Sequence, residues 1–83
     1  MKLVHVVQHE HGGIPYEPYA SLDIKKAENK FESLVLSENL FRKRMKDESF
    51  DAYLSAYWED IDADEPEFNH EDDTIRYWEV KLF

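Results

Sequence analysis

Three histidines near the start of the chain, His5, His9 and His11, fall at even spacings. Residues two apart on a strand share a face, so all three would project one way. Three imidazoles around an open coordination position are the ligand set of a catalytic zinc. His5 and His9, however, are four residues apart, roughly 13 Å along a strand and too far for one ion without a bend. His9 and His11 can chelate as a pair, with His70 or a carboxylate completing the set. The plainer reading is that His9-Glu10-His11 ends a strand in water.

A second group is acidic. Asp60, Asp62 and Asp64 supply alternating carboxylates at positions 1, 3 and 5 of an EF-hand-like calcium loop, and Glu71 falls at position 12. The template fails at position 6, where the sharp turn needs Gly and the chain has Glu65, and at position 8, where Glu67 replaces an apolar residue. No metal ligand is therefore assigned. The same residues belong to a larger run. Nine of the fifteen residues from Glu59 to Asp73 are acidic (Glu59, Asp60, Asp62, Asp64, Glu65, Glu67, Glu71, Asp72 and Asp73), and none is Lys or Arg. The chain has 19 acids, 10 bases and a net charge of −9, so outside this run the charges balance at ten each. Carboxylates spaced along an exposed segment can imitate a phosphate array and dock on a basic groove, with Tyr57, Trp58 and Phe68 beside them as aromatic anchors. The bland alternative is a solvated, solubilising loop.

Catalysis has less to stand on. With no Cys there is no thiolate nucleophile, disulfide or Cys-based zinc site. Ser21, Ser37 and Ser49 stand where helices are expected to start, which capping explains. Gly12 and Gly13 are the only glycines, so no Gly-rich phosphate loop exists. No enzyme activity and no cofactor are expected.

The elements that must hold these groups read as follows. Lys2 to His9 is a strand rich in β-branched Val, with Leu3, His5, Val7 and His9 on one face and Val4, Val6 and Gln8 on the other. Gly12-Gly13 suggests a hairpin. Ile14 to Ala20 contains Pro15 and Pro18 and is restricted to an edge strand or an extended loop. Ser21 is the expected cap of a first helix with Ile24, Ala27, Phe31, Leu34 and Val35 inward, and Lys25, Lys26, Glu28, Lys30 and Glu32 outward. Ser37 would cap a second, with Leu40, Phe41 and Met45 inside and Arg42, Lys43, Arg44 and Lys46 forming a basic cluster. Ser49 would cap a third, or the second continues, with Phe50, Tyr53, Leu54, Tyr57 and Trp58 as its apolar stripe. Pro66 interrupts the acidic run. Thr74 to Phe83 is a strand in which Ile75, Tyr77, Glu79, Lys81 and Phe83 alternate with Arg76, Trp78, Val80 and Leu82. The second row, richer in large apolar residues, is expected to face the core. The result is one α+β domain over residues 1–83: a small antiparallel sheet, with the first and last strands paired at its centre, packed by two or three helices.

Eighty-three residues allow one small core, and five Phe, five Tyr and two Trp supply much of it. The N-terminus has one Lys and a short apolar run broken by His5, unlike a signal peptide. No stretch approaches the roughly 18 apolar residues of a membrane span. Acidity disfavours direct contact with nucleic acid or an anionic membrane, and the absence of Cys favours a cytoplasmic setting.

The opening strand Leu3-Val4-His5-Val6-Val7-Gln8-His9-Glu10-His11, a capped helix with Ala27 and Phe31 inward and the closing Tyr77-Trp78-Glu79-Val80 together resemble short proteins of bacteriophages and mobile elements. In size and acidity the chain is also similar to phage inhibitors of host defence, the anti-restriction DNA mimics and anti-CRISPR proteins, although Arg42 to Lys46 breaks an all-acidic surface. That resemblance implies an inhibitor of a basic, nucleic-acid-binding host defence protein, with Glu59 to Asp73, Trp58 and Phe68 as the partner-binding surface. The alternatives are a calcium- or zinc-binding module and a structural domain that dimerises through a sheet edge.

Overall fold

A run of β-branched residues at the start of the chain makes β1 (Leu3–His11) the central strand of an antiparallel sheet. The computed structural model describes residues 2–82. The strand turns back over Gly12 and Gly13, whose φ angles of 58° and 82° are the two positive values that a two-residue hairpin turn requires. β2 (Ile14–Pro15) and β3 (Tyr19–Ser21) then pair with successive parts of β1 along one of its sides. Pro15 and Pro18 are confined to this edge, where a missing backbone donor costs least. On its other side β1 pairs with β4 (Asp73–Lys81) over its whole length, from Leu3 opposite Lys81 to His11 opposite Asp73.

The first helix, α1 (Ile24–Ser37), starts later than Ser21. Ser21 is still strand, opposite His5, and its hydroxyl accepts from Asp23 N–H. Asp23 is the cap, accepting from Lys25 N–H at 2.9 Å. Ile24 is thus the first helical residue and is exposed, whereas Ala27, Phe31 and Val35 are fully buried. Glu28, expected outside, is buried beneath Arg44, whose Nη1 is 3.5 Å from its carboxylate.

The expected helix after Ser37 does not form. Ser37 belongs to the last turn of α1, and Asn39 takes a left-handed φ of 54°. Leu40 N–H then bonds back to Val35 O and Asn39 N–H to Leu36 O, the two bonds of a Schellman C-terminus. Leu40 and Phe41 enter the core from an irregular segment, and Met45 is left exposed. That segment is held by a two-pronged Arg42–Glu48 pair at 2.8 Å and by Tyr53 O–H donating to Arg42 O.

The next helix, α2 (Phe50–Asp62), starts as expected, with Ser49 accepting from Ala52 N–H. The helices cover one sheet face around Phe31, which meets Phe50, Tyr53, Tyr57 and Tyr77 edge-on at 5.4–6.5 Å. The row of β4 that joins this core is Ile75 and Tyr77, while Trp78, Val80 and Leu82 lie on the uncovered face. Register decides this. Residues opposite each other share a face, and His5, Val7 and His9 of the buried β1 row stand opposite Glu79, Tyr77 and Ile75. Phe83 lies outside the described residues. Among those described, no helix is long and apolar enough to cross a membrane.

Candidate functional site

The acidic run occupies three settings. Glu59, Asp60 and Asp62 stand in the last turn of α2, the residues up to Asp72 form a loop, and Asp73 opens β4. Two of the nine carboxylates turn inward. Asp60 accepts from Glu67 N–H at 2.8 Å, Phe68 N–H at 3.3 Å and His70 Nε2 at 2.6 Å. Burial opposes its charge, but the imidazole and the two amides outweigh it and hold Asp60 below the usual carboxylate range. Asp60 therefore staples the loop to the helix that precedes it. With Asp60 and Asp62 on a helix and Glu71 leading into a strand, these residues do not wrap into a calcium loop.

Asp73 Oδ1 accepts from both His11 Nδ1, at 2.9 Å, and His9 Nε2, at 2.8 Å. The two imidazoles lower the Asp73 carboxyl and Asp73 raises His11. Glu38 Oε1 completes this group 3.9 Å from His9 Nε2. The three ligand atoms of His9, Glu38 and Asp73 lie within 4.8 Å of one another. His9 and His11 thus find carboxylates rather than His70, which serves Asp60, while His5 sits 2.9 Å from the Tyr77 hydroxyl. Sequence reasoning missed Glu38 entirely. The only local sign is Asn39, a residue that tolerates the left-handed turn fixing the end of α1.

The other acids, Glu59, Asp62, Asp64, Glu65, Glu67, Glu71 and Asp72, are exposed, and none forms an ion pair among the described residues. Glu59 and Asp62 also crowd the negative end of the α2 dipole, where no base offsets them. The opposing basic cluster is partly neutralised, because Arg42 pairs with Glu48 and Arg44 with Glu28 and Glu32. Of the flanking aromatics, Tyr57 is a core residue whose hydroxyl accepts from Ile75 N–H. Trp58 and Phe68 are half-buried at the border of the acidic loop.

Comparisons with protein-family models, with curated proteins and with solved structures find no match to this chain.

Proposed function

We propose that the chain is a small interaction protein that docks on a basic protein surface through Glu59, Asp62, Asp64, Glu65, Glu67, Glu71 and Asp72, with Trp58 and Phe68 at the rim. The observation that carries this reading is a run of exposed acids left without ion pairs at the negative end of a helix, while the arginines are paired. Asp60 and Asp73 support the surface from within. Such a field raises association rates and favours a partner whose own ligand is a phosphate chain. A cytoplasmic, phage-encoded inhibitor of a nucleic-acid-binding host defence protein fits this chemistry. The test is capture from host lysate at low and high salt with wild type and a variant carrying Asp62→Asn, Asp64→Asn, Glu65→Gln, Glu67→Gln and Glu71→Gln. Salt-sensitive capture of a basic protein by wild type alone is the expected result; equal capture by both would overturn the reading.

Self-association is a second reading. β4 pairs only with β1 among the described strands, and Trp78 and Val80 are exposed beside its open edge. A monomeric mass by light scattering at high protein concentration would end it.

A further inference from the structure

We propose that His9, His11, Asp73 and Glu38 form a binding site for a divalent transition-metal ion of the zinc type, each supplying one ligand atom. The four residues come from three elements. His9 and His11 share one face of β1, the antiparallel register sets Asp73 opposite His11, and the Schellman turn at Asn39 places Glu38 at the end of α1.

The donor atoms of His9, Glu38 and Asp73 lie within 4.8 Å of one another, and His11 Nδ1 adjoins the group through Asp73 Oδ1 at 2.9 Å. Two imidazole nitrogens converge on the same oxygen, Asp73 Oδ1, at 2.8 and 2.9 Å, and Glu38 Oε1 stands 3.9 Å from His9 Nε2. Ligands of a tetrahedral ion with bonds near 2.1 Å are about 3.4 Å apart. Turning the hydrogen-bonded group into a coordination shell therefore takes side-chain movement alone, with the two contacts to Asp73 opening and His11 swinging toward His9 and Glu38.

The donor set selects the ion. Two imidazoles with two carboxylates suit zinc and its neighbours in the first transition row. Calcium takes six to eight oxygens and magnesium keeps its waters, so neither matches a site built half of nitrogen. The site is anchored at His9 and reachable from solvent. His9 is buried with its ring edge-on to Tyr16 at 4.8 Å, whereas the His11 and Glu38 side chains are 57% and 39% exposed. A cleft of roughly 180 Å³ lined by Glu38, Asn39, Leu40, Asn69, Asp72 and Asp73 opens beside it. Asp72 and the C-terminal end of the α1 dipole add negative potential that favours a cation.

The test is calorimetric titration of zinc chloride into the chelator-treated full chain, paired with thermal melts. One ion per chain and a zinc-dependent rise in melting temperature are expected. Loss of an outer-shell partner alone costs a metal site roughly 10- to 100-fold in affinity, so loss of a ligand in His11→Ala or Glu38→Gln should cost at least tenfold. Both side chains are exposed, so both variants should fold, which circular dichroism without metal checks. Cobalt(II) in place of zinc should give the intense visible absorption of a four-coordinate centre, lost in His11→Ala. A variant with Asp62→Asn, Asp64→Asn and Glu65→Gln should bind zinc unchanged. The absence of stoichiometric zinc binding would overturn the proposal. So would zinc affinity that survives the His11→Ala, Glu38→Gln double change, zinc affinity lost in the acidic-loop variant, or calcium binding as tightly.

Discussion

Asp73 Oδ1 accepts from His9 Nε2 at 2.8 Å although 64 residues of chain separate them. The bond ties the far end of β1 to the first residue of β4, where the acidic loop returns to the sheet. The second bond, to His11, makes Asp73 the clasp of that junction.

Removing the clasp should destabilise the fold. Asp73→Ala leaves the buried His9 nitrogen without its acceptor, and an unsatisfied buried polar group costs about 1–3 kcal/mol. The expected result is a lower urea midpoint with an unchanged denaturant slope. An unchanged midpoint would mean that water replaces the carboxylate without loss.

Glu48 should make stability acid-sensitive over a defined window. Arg42's two hydrogen bonds lead the causes that lower the Glu48 carboxyl from 4.5 to about 2. A carboxyl with a depressed folded value stabilises the fold above its unfolded value, and that contribution fades as pH falls through the folded one. The gap in urea midpoint between wild type and Glu48→Gln should therefore hold above pH 4.5 and shrink toward pH 2. A gap independent of pH would refute the assignment.

The two rows of β4 should respond unequally to truncation. Ile75 is fully buried, so Ile75→Ala should cost about 2–5 kcal/mol. Trp78, on the uncovered face opposite Val6 and 39% exposed, should cost less on truncation to Ala, about 1–2 kcal/mol. Equal costs, read from denaturant midpoints, would show that something covers the face carrying Trp78.

Those rows also mark the limit of what the sequence discloses. Features with a local cause are legible in it: the Val-rich β1, the positive φ angles at Gly12 and Gly13, and the Ser49 cap with its aromatic stripe. The inward row of β4 is set instead by pairing with β1, and a count of apolar residues selects the wrong row. Leu40 and Phe41 keep helical spacing and are buried as expected, but the left-handed turn at Asn39 delivers them from an irregular segment. In the acidic run all nine carboxylates look alike. Which two turn inward depends on His70, His9 and His11, and in the case of Asp73 on a register across the sheet.

The acids left at the surface make the last prediction. Glu59 and Asp62 stand at the negative end of the α2 dipole, while Asp51 stands at its positive end. Charge reversal should therefore have opposite signs at the two ends. Glu59→Lys and Asp62→Lys should each raise stability by about 0.3–1 kcal/mol at low ionic strength, and Asp51→Lys should lower it by a similar amount. Added salt should reduce all three effects, because the sites are exposed. Urea midpoints at low and high salt read both sign and screening. Acids that oppose folding where they stand, and that no base pairs with, are what is expected of residues serving a partner rather than the fold. If Glu59→Lys and Asp62→Lys leave stability unchanged or lower it, that argument for the docking surface fails.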